Sequence, residues 1–201
     1  MSWYHEDLPM SDPIFRAIAM VRDRLIRVVD LLQADDVPFA VCGGWAVAGW
    51  VATIDEDATR TTKDVDILLR RADFDRAKSA MEKGGFCFAE VQGVPMFLDG
   101  PDGKPKRGVH ILWACERLRS DDAMPAPDIE PQETDALHPF PRVGLEGIVR
   151  LKLMAWRDHD KASLYDMIEV GVLEDAMVQW YDGELAKRLQ FLFDNPEVNL
   201  G

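Results

Sequence analysis

The segment Asp64-Val65-Asp66-Ile67-Leu68-Leu69 is the tightest constraint in the chain. Its apolar residues read as a short strand closed by Arg70 and Arg71. Side chains two apart on a strand point the same way, so Asp64 and Asp66 stand side by side on one face. Two adjacent carboxylates repel. A strand start tolerates them when a divalent cation neutralises both, and Mg²⁺ shared between one or two carboxylates and substrate phosphates is the common arrangement.

The residues upstream complement that pair. Residues 37–42 form a short apolar strand that Gly43-Gly44 ends, and residues 45–52 form a helix apolar nearly all round, hence buried. Without Cβ atoms the paired glycines let backbone N–H groups approach a phosphate, and the helix N-terminus at Trp45 favours negative charge. Residues 53–63 between helix and strand are polar and irregular.

Elsewhere the chain alternates and then changes texture. Pro13 opens an amphipathic helix reaching about residue 34, with Ile18, Val21, Leu25, Val28 and Leu32 at helical spacing. A second amphipathic helix from Phe74 ends at Gly84-Gly85. Strands follow over 86–91, 94–98 and 108–114, with Gly100-Pro101-Asp102-Gly103 as a turn. Residues 120–141, with prolines at 125, 127, 131, 139 and 141, read as a loop or linker. Beyond it come helices alone, over 144–157, 161–170, 173–181 and 183–193, with a solvated polar stretch at 157–160. The expectation is an α+β chain: an α/β core over 1–141, with a mixed sheet and flanking helices, and a helical part over 142–201.

Composition excludes some functions. The 36 Asp and Glu against 23 Lys and Arg give a net charge of -13, which argues against general nucleic-acid binding. No apolar run is long enough to span a bilayer, and residues 1–10 lack the basic start and apolar core of a signal peptide. Three widely spaced cysteines, Cys42, Cys87 and Cys115, suggest neither a disulfide framework nor a CxxC site, so a cytoplasmic location is expected.

Gly43-Gly44-Trp45-Ala46, then Arg60, Thr62, Asp64 and Asp66, resemble the nucleotidyltransferase fold of DNA polymerase β-like enzymes, especially the minimal branch that contains AbiEii-type toxin-like proteins. Lys152, Ala155, Arg157 and Lys161-Ala162-Ser163-Leu164-Tyr165-Asp166 are similar to that branch's C-terminal motif, so the likeness runs over roughly residues 37–170. It implies that Gly43 and Gly44 hold the triphosphate of a nucleoside triphosphate and that Asp64 and Asp66 bind Mg²⁺, or Mn²⁺ in its place. It further implies that Lys152 offsets phosphate charge, that Arg60 and Thr62 line the pocket, and that Asp166 completes the motif and orients Lys152. The toxin-like branch also brings in a cognate antitoxin-like partner.

Two positions depart from the family pattern. The strand expected to carry a third carboxylate offers His110, and Ser163 stands where the family tends to have an acid. His110 is therefore expected to take the acceptor's proton, provided it faces the cleft. The reaction expected is transfer of a nucleoside monophosphate to a protein, RNA or small-molecule acceptor. The alternative is a catalytically inactive member of the fold that binds a nucleotide or a partner protein.

Overall fold

A computed structural model describes residues 13–130 and 140–196 of the chain. The order of elements is α1 (Pro13–Ala34), β1 (Phe39–Cys42), α2 (Gly43–Val51), β2 (Val65–Leu69), α3 (Phe74–Lys83), β3 (Phe86–Val91), β4 (Val94–Asp99), β5 (Val109–Trp113), α4 (Leu145–Ala155), α5 (Asp158–Glu169) and α6 (Gly183–Asp194). The five strands form one mixed sheet in the order β1-β2-β5-β4-β3, in which β2 and β5 run parallel and the other neighbours antiparallel.

Strand periodicity divides the interior into two cores. Val41, Ile67, Val109 and Phe97 face α1 and α3, packing with Leu25, Leu32 and Met81. Ala40, Cys42 and Leu68 face the other way, packing with α2 and with Ile148, Leu153, Leu164 and Leu189 of the C-terminal helices. The helices after Pro141 thus share a core with α2 and the sheet. Each fully buried aliphatic side chain contributes about 1.5–3 kcal/mol to holding these layers.

The pairing of the strands has local causes. β3 and β4 are joined by Gln92-Gly93, both at positive φ (53° and 79°), the backbone that matches a two-residue hairpin to strand twist. β4 meets β5 only at Met96↔His110 and Phe97↔Val109. Pro95, with no N–H to donate, stands where that ladder stops, and the two strands splay beyond it. On the opposite edge Val41 donates to Pro141 and Val143 donates to Val41, so the end of the proline-rich segment covers β1.

Several boundaries differ from the sequence expectation. α2 starts at Gly43, the glycines supplying its first turn. α5 starts at Asp158, because Arg157 caps it. Residues 173–181 do not make an α-helix: Asp175–Trp180 is a 3₁₀ helix. The chain must reverse between α5 and α6 there, from Gly171 at φ 82° to Tyr181, whose hydroxyl donates to the Glu146 carbonyl at 2.7 Å. Residues 131–139 of the expected loop lie outside the described residues; its described parts carry no helix or strand. Among the described residues no helix is long and apolar enough to cross a membrane, and Cys42, Cys87 and Cys115 are free thiols.

Candidate functional site

The sheet register builds the centre of the site. Cys42 lies opposite Asp66, Asp66 opposite His110, and His110 opposite Met96, so one row crosses four strands on the face toward α2. Within it His110 Nδ1 lies 3.0 Å from Asp66 Oδ1. An ionised carboxylate only accepts, so Nδ1 carries the proton and Nε2 keeps the lone pair of the neutral ring. The hydrogen bond to Asp66 raises the His110 pKa; burial opposes this, and the charges of Asp66 and Asp64 add to it. Cys42 is fully buried, and burial, with Asp66 beside it, pushes its thiol well up, so it stays protonated.

The two glycines are fixed by what sits against them. At Gly43, with φ 62°, any Cβ would collide with the Asp66 carboxylate. At Gly44 a Cβ would lie 2.6 Å from Thr62 Oγ1. The first turn of α2 therefore abuts both side chains, and its positive end favours the Asp66 charge. Only glycine allows an approach this close.

The C-terminal helices supply the opposite wall. Lys152 on α4 is 8% exposed, and its Nζ donates to Asp160 Oδ1 at 3.0 Å. Trp156, left-handed at φ 51°, ends α4 and turns the chain so that Asp160, in the first turn of α5, comes back under Lys152. Asp160 is 1% exposed and also receives Arg157 Nε at 2.7 Å and the Arg157 backbone N–H at 3.3 Å. Burial alone would raise its pKa; hydrogen bonds and charge from Arg157 and Lys152 outweigh that and lower it.

Two sequence expectations need correction here. Asp166 does not orient Lys152: it pairs with Arg60, Nη2 to Oδ1 at 2.7 Å, and Asp160 takes the lysine. The expectation of a solvated stretch at 157–160 holds for Arg157, Asp158 and His159, which are exposed, and fails at Asp160, which is among the least exposed charged groups described. The signal was available in principle, since a lysine on an apolar helix face needs a carboxylate and Asp160 stands three residues past the cap in capping-box position. Ser163, where the family tends to have an acid, donates to the His159 carbonyl of its own helix at 2.9 Å.

All nine expected site residues line one cleft of about 720 Å³: Gly43, Gly44, Arg60, Thr62, Asp64, Asp66, His110, Lys152 and Asp166. Sequence reasoning missed Asp160 and the lip residues Val94 and Leu118, which border the same cleft. The cleft is lined by Asp64, Asp66 and His110 from the sheet side and by the Lys152–Asp160 pair, Arg157 and Asp166 from the C-terminal helices, together with the apolar side chains of Val47, Val51 and Leu151. Among the described residues no group of three His, Cys, Asp or Glu side chains could by itself hold a metal ion. Asp64 and Asp66 therefore suit a hard cation that takes one or two carboxylates and completes its shell with water and phosphate, as Mg²⁺ does.

No protein-family model matches the chain, and no curated protein matches it in sequence. Among solved structures it is similar to the solution structure of the antibiotic-resistance factor ANT(2'')-Ia, with TM-score 0.53 and 10% identity over 90% of this chain and 93% of that one. A crystal structure of ANT(2'')-Ia in complex with adenylyl-2''-tobramycin gives TM-score 0.46 and 15% identity over 91% and 99%. The first likeness shows the fold: a five-stranded mixed sheet with flanking helices, the nucleotidyltransferase fold.

Proposed function

We propose that the chain is a metal-dependent nucleotidyltransferase that moves a nucleoside monophosphate from a nucleoside triphosphate to an acceptor hydroxyl. The observation that carries this reading is the convergence of Asp64, Asp66, His110 and Lys152 on one cleft, from the residue before β2, from β2 and β5, and from helix α4. The nucleotidyltransferase fold supports it.

Each side chain has a part that follows from its place. The α2 N-terminus at Gly43-Gly44 faces phosphate with backbone N–H groups and a positive dipole end. Lys152, held by Asp160, offsets phosphate charge, and Arg60, held by Asp166, lines the entrance with Thr62. Asp64 and Asp66 hold Mg²⁺, or Mn²⁺ in its place, which when bound neutralises charge on the reacting phosphates. His110 Nε2 takes the proton as the acceptor oxygen forms its bond to the α-phosphorus. The bond from that phosphorus to the bridging oxygen breaks, and its electron pair leaves with pyrophosphate.

Within the fold we assign the chain to the minimal, AbiEii-type toxin-like branch, with an antitoxin-like protein as a candidate partner, an α/β core over 1–141 and a helical part over 142–201. A reducing cytoplasm suits its three free thiols. A second reading, an inactive nucleotide-binding or protein-interaction module, draws on one observation: His110 occupies the strand position where a third carboxylate was expected.

Calorimetric titration with Mg²⁺ and each nucleoside triphosphate, on the wild type and on Asp64→Asn/Asp66→Asn, tests the reading. Metal-dependent binding of a nucleotide that the double variant loses supports it. Absence of binding for every nucleotide overturns it and leaves the protein-interaction module.

A further inference from the structure

We propose that a second groove, on the far side of His110, seats the acceptor, and that this acceptor is an uncharged alcohol on an apolar, ring-bearing body. The proposal rests on the transfer reading above and names the chemistry of the second substrate.

The groove, about 540 Å³, opens where β4 splays from β5 at Pro95. It is continuous with the larger cleft, because Val94, His110, Leu112 and Leu118 line both. The imidazole thus stands on the shared wall, reachable from the carboxylate side and from the groove. Were a nucleotide to fill the larger cleft, the groove would remain as the open approach to His110.

The chemistry of the walls selects the occupant. Val94 and Leu118, 43% and 40% exposed, are two of the six large apolar side chains exposed among the described residues, and both line the groove that His110 also lines. Scattered exposed aliphatics need no explanation, but two at the mouth of one groove form an apolar lip. Phe88, Pro95 and Trp113 continue that surface inward and give a ring something to lie against. Charge is balanced and largely committed. Arg71 binds Glu116 at 2.6 Å while lying over the Trp113 ring, and Arg117 donates to the Asp122 carbonyl at 2.7 Å. Glu90 completes two acids against two bases, in a chain whose net charge is -13. A polycationic amine has no acidic wall to meet there, and an anion has no basic one. A groove of this size takes one small molecule or one side chain.

The probes are para-cresol for a free ring alcohol, N-acetyl-tyrosinamide for a tyrosyl side chain, and the polycation tobramycin as contrast. Binding is followed by saturation-transfer NMR and titration on the full chain without nucleotide, for the wild type and for Val94→Asp and Leu118→Asp separately. Both lip positions are exposed, so both variants should fold. At least one ring alcohol should bind more tightly than tobramycin and lose about tenfold or more in each variant, where a carboxylate would have to be desolvated against the ring. Tighter binding by N-acetyl-tyrosinamide points to a protein acceptor, and equal binding to a small molecule. The proposal is overturned if neither ring alcohol binds, if tobramycin binds best, or if both variants bind the rings as the wild type does. Failure of the wild type to bind any nucleotide refutes the transfer reading instead, whatever the ring alcohols do.

Discussion

Replacing Asp160 by alanine is the perturbation whose outcome the structure fixes most sharply. The carboxylate is 1% exposed and receives Lys152 at 3.0 Å and Arg157 at 2.7 Å, while Lys152 is itself 8% exposed. Truncation leaves the lysine charge buried without its carboxylate, a loss that costs about 3–5 kcal/mol in comparable buried pairs. Arg157, with a side chain 57% exposed, regains water and adds little. Loss of the α5 cap adds about 1 kcal/mol, and relaxation of the Lys152 side chain into the cleft it lines offsets part of the total. The expected net cost of about 3–5 kcal/mol is a large fraction of the roughly 5–15 kcal/mol typical of a whole protein. Urea unfolding followed by far-ultraviolet circular dichroism measures it. The apolar double variant Lys152→Met/Asp160→Leu should unfold within about 1–2 kcal/mol of the wild type, since removing both charges removes the penalty. It should nonetheless lose nucleotide affinity, which separates the stability of the pair from its use. A cost below about 1 kcal/mol for Asp160→Ala, or an apolar pair as unstable as that single variant, would refute the reasoning.

Three further outcomes follow from the same geometry. Gly43→Ala should cost at least about 1–3 kcal/mol for a left-handed non-glycine residue, and it should abolish metal-dependent nucleotide binding because its Cβ displaces the Asp66 carboxylate; calorimetric binding at wild-type affinity would contradict this. His110→Gln should leave the nucleotide dissociation constant within about threefold and lower kcat by about 10²-fold or more, as loss of a general base does; an unchanged kcat in steady-state pyrophosphate release removes His110 from proton transfer. Asp128, whose carboxyl is lowered to about 2 first by its hydrogen bond from Arg70, titrates below its unfolded value. Its contribution is therefore present above the unfolded pKa of about 3.9 and fades as pH falls through about 2. The pair is exposed, so Asp128→Asn should destabilise by less than about 1 kcal/mol at neutral pH, and the difference should shrink in acid; a gap that persists at low pH in urea unfolding contradicts the assignment.

Much of the fold was legible because it is local. The 3.6-residue spacing of Val21, Leu25, Val28 and Leu32 specifies one face of α1 whatever it packs against. That Asp64 and Asp66 line one cleft was legible for a related reason, since they stand two residues apart where β2 begins. What joins distant segments was not. The row from Cys42 through Asp66 to His110 depends on β5 lying parallel beside β2, a register no local pattern dictates. The exchange of partners, Asp160 to Lys152 and Asp166 to Arg60, depends on the left-handed turn at Trp156, and tryptophan has no preference for that conformation. The 3₁₀ segment at Asp175–Trp180 carries helical spacing, yet the reversal between α5 and α6 tightened it.

Transfer itself is the most direct test of the central claim. The wild type, Asp66→Asn and Asp64→Asn, each with Mg²⁺ or Mn²⁺, are incubated with nucleoside triphosphates labelled at the α-phosphate, together with cell extract and the ring alcohols. Labelled acceptor and pyrophosphate should appear in equal amounts with the wild type alone, and chelation of the metal should abolish both. Label carried equally by the wild type and both aspartate variants, or tight metal-dependent nucleotide binding with no label on any acceptor, would contradict the account of this cleft as a nucleotidyl-transfer site.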